Sequence, residues 1–128
     1  MRILILSHYF WPENFKINDF ANFLSKENKI TVLTGEPSYP NKKIFNGYKK
    51  KNFSKNIDIL RVPVLARGTT KFSIFLNYLS FLISLSTIGV IKLIKKKFDL
   101  ILVFGTSPPT VMIPAIILSK LKKIKVAF

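Results

Sequence analysis

Cysteine is absent from the 128 residues, which excludes disulfides, thiol nucleophiles and Cys-based zinc sites. A single histidine, His8, leaves no His-rich metal site, and no metal centre is expected. Carboxylates are few: six acidic residues face 21 lysines and arginines, for a formal net charge of +15. Arginine is scarce within that excess, with Arg2, Arg61 and Arg67 the only examples. Planar, two-point recognition of bases and phosphates favours arginine over lysine, so nucleic acid is a disfavoured partner despite the charge. Two other sources of the excess stay open: the compositional bias of an AT-rich gene, and attraction to an anionic membrane surface. The apolar run at residues 3–6 is too short and too soon interrupted for a secretory leader, and a cytoplasmic location is expected.

Apolar material is plentiful. At 48% hydrophobic and 13% aromatic, the chain has enough surface to bury to offset the entropy lost on folding, and its length fits one domain, residues 1–128. Arg2–Ser7 is a β-branched apolar run of the kind buried on both faces of a sheet. From Lys16, the positions Ile17, Phe20, Ala21 and Leu24 follow the spacing of an amphipathic helix. Residues 30–34 read as a second strand, residues 35–55 as a long loop punctuated by Pro37, Pro40 and Gly47, and Ile57–Val62 as a third strand. Residues 99–104 read as a fourth strand, 105–109 as a turn, 110–120 as a helix and 124–128 as the start of a fifth strand. Such alternation predicts an α/β domain with a Rossmann-like, doubly wound parallel sheet and right-handed crossovers.

Residues 72–91 form an unbroken apolar helix about as long as a bilayer requires. If it crossed a membrane, the first three strands would be separated from the fourth, and the sheet could not close. The expectation is therefore a helix packed on the sheet by one side, with Phe75, Leu79 and Leu82 facing lipid or a partner, and Lys95, Lys96 and Lys97 facing anionic headgroups. Its weakly polar residues, Ser73, Asn77, Ser80, Ser84 and Thr87, fall on one narrow stripe of a regular helix.

In an open parallel sheet, ligands bind beyond the carboxyl ends of the strands where strand order reverses, here between strands one and four. The loop after strand one is not a Gly-x-Gly-x-x-Gly cradle, which disfavours a plain dinucleotide domain. Tyr9, Trp11, Pro12, Glu13 and Asn14 make it an aromatic loop suited to stacking on a sugar and hydrogen-bonding its hydroxyls, or equally to plugging the sheet edge. Thr106 and Ser107 in the second loop could hold an oxyanion or simply cap the helix that follows.

The opening Met1-Arg2-Ile3-Leu4-Ile5-Leu6-Ser7-His8-Tyr9-Phe10-Trp11-Pro12-Glu13 resembles that of family 4 glycosyltransferases of O-antigen and capsule assembly. Thr31-Val32-Leu33-Thr34-Gly35 with Pro37, Tyr39 and Pro40, then Asn46-Gly47-Tyr48 and Arg61-Val62-Pro63, follow in the order of the subgroup that includes the L-fucosamine transferases. So do Asn77-Tyr78-Leu79-Ser80-Phe81 and Thr106-Ser107-Pro108-Pro109. The resemblance implies the N-terminal half of a GT-B fold. That half contacts the acceptor, a polyprenyl-linked sugar at the inner face of the plasma membrane, while a second half binds the nucleotide-sugar donor. Tyr39 joins the acceptor-binding candidates on this ground. Phe104 stands where many relatives carry histidine, and no donor half follows within the 128 residues. The expected function is thus an acceptor-side half, inactive alone and dependent on a separately encoded donor domain, with no cofactor of its own. The alternative is a non-catalytic basic module binding membrane or nucleic acid through the lysines of residues 49–51, 95–97 and 120–125.

Overall fold

The computed structural model describes residues 1–37, 54–105 and 109–128. Five strands, β1 (Arg2–Ser7), β2 (Lys29–Gly35), β3 (Ile57–Val62), β4 (Leu100–Phe104) and β5 (Lys125–Ala127), form one sheet in the order β3-β2-β1-β4-β5. Every pairing is parallel. This is the expected doubly wound α/β sheet with strand one at its centre. β5 is shorter than the sequence suggests, pairing only through Lys125, Val126 and Ala127.

Successive side chains of a strand point to opposite faces, and β1 supplies both cores. Ile3 and Ile5 pack with Ile30, Val32, Ile17 and Ala21 beneath α1 (Lys16–Leu24). Leu4 and Leu6 pack with Leu33, Phe81, Leu85 and Leu118 on the other side. That second face carries a helix running from Lys71 to Leu93, built of α2 (Lys71–Ser84), a π turn (Leu85–Gly89) and α3 (Val90–Leu93). Beside it lies α4 (Met112–Lys122), entered through a 3-10 turn at Pro109–Val111. Helix four thus begins two residues later than the sequence pattern indicates.

The π turn has a mechanical reason. Asn77, Phe81, Leu85, Gly89 and Leu93 are all buried, at a strict spacing of four. In a regular α-helix that spacing drifts by about 40° per step, or about 160° from first to last, and the line would leave the sheet. The wider i→i+5 turn absorbs the drift. Gly89 permits the close approach that results, since a Cβ there would lie 2.8 Å from Leu33 Cδ2.

This geometry also divides the polar stripe expected of the helix. Asn77 is fully buried against the sheet, whereas Thr87, carried round by the π turn, is exposed and donates to the Ile83 carbonyl at 2.7 Å. The exposed large apolar residues of this helix are Phe72, Phe75, Leu79, Ile83 and Ile91. Leu82, expected among them, is half-buried, because it lies next to the inward line at Phe81.

Candidate functional site

The loops after β1 and β4 leave the sheet at the same end, because the strands are parallel and Ser7 is in register with Phe104. Phe104, Trp11 and Phe15 pack on the same cluster as Phe10, which is fully buried. Gly105 follows Phe104 with open space where a side chain would be. Tyr39, Thr106 and Ser107 lie outside the described residues, as do the lysines at 42–43 and 49–51.

The first loop is held by its own polar groups. The Glu13 carboxylate is buried and accepts from the Phe10 N–H at 3.3 Å, while the Glu13 N–H donates back to the Phe10 carbonyl at 3.1 Å. Asn18, from the first turn of α1, accepts from the Trp11 N–H at 3.0 Å and donates to the Glu13 carbonyl at 2.7 Å. The Trp11–Pro12 peptide is cis. Trp11 and Pro12 are half-buried, and Asn14 is exposed. Tyr9 is buried, with its ring stacked on Phe15 at 5.1 Å between centroids. The loop presents Trp11, Pro12 and Asn14 outward, while Tyr9 and Glu13 point in.

Two arginines converge on this loop from β3 and the segment after it. Arg61 donates to the Gly35 carbonyl at 2.9 Å and to the Trp11 carbonyl, spanning β2 to tie the edge strand to the aromatic loop. Arg67 donates to the Tyr9 hydroxyl at 2.8 Å, and its guanidinium lies 5.9 Å from the centre of the Tyr78 ring. Burial pushes the Tyr9 phenol up to about 12, against the lowering effect of Arg67. Neither arginine was among the candidates drawn from the sequence. A signal was present nonetheless: where a chain uses lysine almost everywhere, an arginine marks a place that needs a planar, multi-donor group.

His8 sits under the loop on the long-helix face, within 4.2 Å of the Phe81 ring centre and 5.2 Å of Tyr78. Its Nε2 meets Asn77 Oδ1 at 3.1 Å, and the Asn77 amide nitrogen donates to the Leu65 carbonyl at 2.5 Å. With Asn77 oriented in this way, Nε2 carries the proton. Nδ1 is left as a buried lone pair with no hydrogen-bond partner among the described residues. Burial lowers the His8 pKa to about 4, the Asn77 hydrogen bond opposing the shift and the charge of Arg67 adding to it. The imidazole is therefore neutral at physiological pH. Among the described residues, no group of three His, Cys, Asp or Glu is placed to hold a metal ion.

No family model matches the chain, and no curated protein sequence matches it significantly. Among solved structures, two crystal structures of the C-terminal domain of a hydrogenase from Pyrococcus furiosus are similar, each with a TM-score of 0.64. Identity is 16%, over 98% of this chain and 88% of that one. The likeness is one of fold alone. It agrees with the Rossmann-like sheet and carries no chemistry to the loop described above.

Proposed function

We propose that this chain is the acceptor-side half of a sugar transferase, contributing the surface that receives a lipid-linked or polysaccharide acceptor in cell-surface glycan synthesis. The observation that carries this reading is the internally braced aromatic loop at the carboxyl end of the central strand, with Arg61 and Arg67 hydrogen-bonded to it. Half-buried Trp11 offers an apolar ring for stacking against a sugar, Asn14 an exposed amide for its hydroxyls, and the arginines a positive field for a diphosphate linkage. On this reading the nucleotide-sugar donor is held by a half of the fold other than these residues, which contribute the acceptor contacts. The ordered segments that resemble those of family 4 glycosyltransferases support the same reading.

Trp11 is the only tryptophan and reports on the loop directly. A short-chain polyprenyl-diphosphate sugar is expected to change its fluorescence with saturation, and a nucleotide sugar is not. An equal response to both, or to neither, would remove the acceptor reading. Arg67→Lys should weaken acceptor binding about tenfold, because lysine cannot donate to the Tyr9 hydroxyl and at the same time set a planar cation beside the Tyr78 ring.

A further inference from the structure

We infer that the long-helix face of the sheet, with α4 as an essential part of it, is a flat docking surface for an anionic lipid bilayer. The inference is independent of sugar transfer and concerns a different region from the aromatic loop. Phe75, Leu79, Ile83 and Ile91 make an outward apolar ridge opposite the buried one, bounded by Lys71 and Lys95. α4 packs into the same core and touches the π turn of the long helix. It adds Ile113, Ile116, Ile117 and Leu121, all exposed. Two neighbouring helices thus turn apolar residues outward on one side of one sheet, which isolated surface leucines and isoleucines do not do.

Charge identifies the occupant. The six carboxylates of the chain are Glu13, Asp19, Glu27, Glu36, Asp58 and Asp99, so neither helix of this face carries one. Every formal charge on the two helices and on residues 94–98 is a lysine. Lys96 is paired with Asp58, and Lys122 donates to the Ile94 and Lys96 carbonyls. Lys95 and Lys97 have no partner among the described residues. They border a hollow of about 490 Å3 that opens beside Ile94 and Leu121. A cationic hollow beside an apolar plane matches a phosphate headgroup above its acyl chain. A partner protein of ordinary composition would bring both signs of charge to this rim. The long helix lies in the membrane plane and does not cross it, because Asn77, Phe81, Leu85, Gly89 and Leu93 are committed to the sheet.

The test is co-sedimentation of the full chain with phosphatidylcholine vesicles containing about one third phosphatidylglycerol, compared with pure phosphatidylcholine. Binding is expected on the anionic vesicles, falling as salt is raised. Phe75→Ser with Ile83→Ser, and separately Ile117→Ser with Leu121→Ser, should each lower partitioning at least about tenfold with the circular dichroism of the fold retained. Phe23→Ser, at an equally exposed phenylalanine of α1 on the opposite face, should leave it unchanged. Absence of binding by the parent chain, or an unaffected α4 pair, would overturn the inference. Equal loss in Phe23→Ser would do the same. Serine pairs that dissociate a dimer without changing vesicle binding would assign the face to a second copy instead. Retention on duplex DNA with no vesicle binding would assign the charge to nucleic acid.

Discussion

The two faces of the sheet are built by different means. On one, α1 is an ordinary amphipathic cover: Ile17 and Ala21 are buried, while Lys16, Asp19 and Asn22 face water beside Phe20 and Phe23. On the other, the long helix and α4 are apolar on both sides, so the inward residues hold the fold and the outward ones have no counterpart among the described residues. The same hydrophobic force thus has two separable consequences. A residue's exposure, not its chemistry, decides whether its loss is felt in stability or in association.

The largest effect should come from the inner side of the long helix. Phe81→Ala is expected to destabilise the domain by about 4 kcal/mol, against about 3 kcal/mol for Ile17→Ala beneath α1, measured by urea unfolding. A larger cost at Ile17 would reverse the weight given to the two faces. Next is the pH dependence, which belongs to the long-helix face alone. The folded pKa of His8, about 4, lies below its ordinary 6.5. The unfolded chain therefore takes up a proton first as pH falls, and stability drops between those values. From pH 7 to pH 5 the loss should be on the order of 2 kcal/mol. His8 is the only histidine, so the variant His8→Phe should show a flat profile over that range. A slope surviving in His8→Phe would place the titration elsewhere.

Smaller effects sharpen the contrast. Thr70 caps the long helix by accepting from the Ser73 N–H at 3.2 Å, and Thr70→Ala should cost about 1 kcal/mol in chemical denaturation. The smallest concern the outer surfaces: Phe75→Ser and Phe23→Ser should each change stability by no more than about 0.5 kcal/mol. They should part company in vesicle binding, where only the first matters. A large stability loss in Phe75→Ser would mean that the outer ridge belongs to the fold after all.

Much of the architecture was legible in local pattern. The strands at Arg2–Ser7 and Ile57–Val62 have the bounds expected of them, because a run of β-branched and leucine residues between turn signals has few other uses. α1 was equally plain, its apolar spacing defining one inward side. The candidate loop was legible as chemistry but not as arrangement. Tyr9, Trp11 and Glu13 could be named, yet whether Glu13 faced a ligand or its own backbone depended on the turn that returns it to the Phe10 N–H. Arg61 and Arg67 were missed for a related reason: they lie some fifty residues further along the chain and reach the loop only across β2 or through the segment after β3.

By itself the sequence determined the strand set, the parallel pairing, the first helix and the positive charge, because these rest on short-range periodicity, on the alternation of strands with helices, or on composition. Only the tertiary structure decided which way the long helix faces. Residues 72–91 are apolar apart from one weakly polar stripe, so hydropathy would turn that stripe to water, and a regular 3.6-residue turn would have kept Asn77 within about 80° of Thr87. Contact with the sheet overrode that preference. The Asn77 amide is satisfied by His8 and Leu65, Gly89 closes on Leu33, and the π turn between them keeps the inward line on the sheet and leaves the outer ridge uncovered.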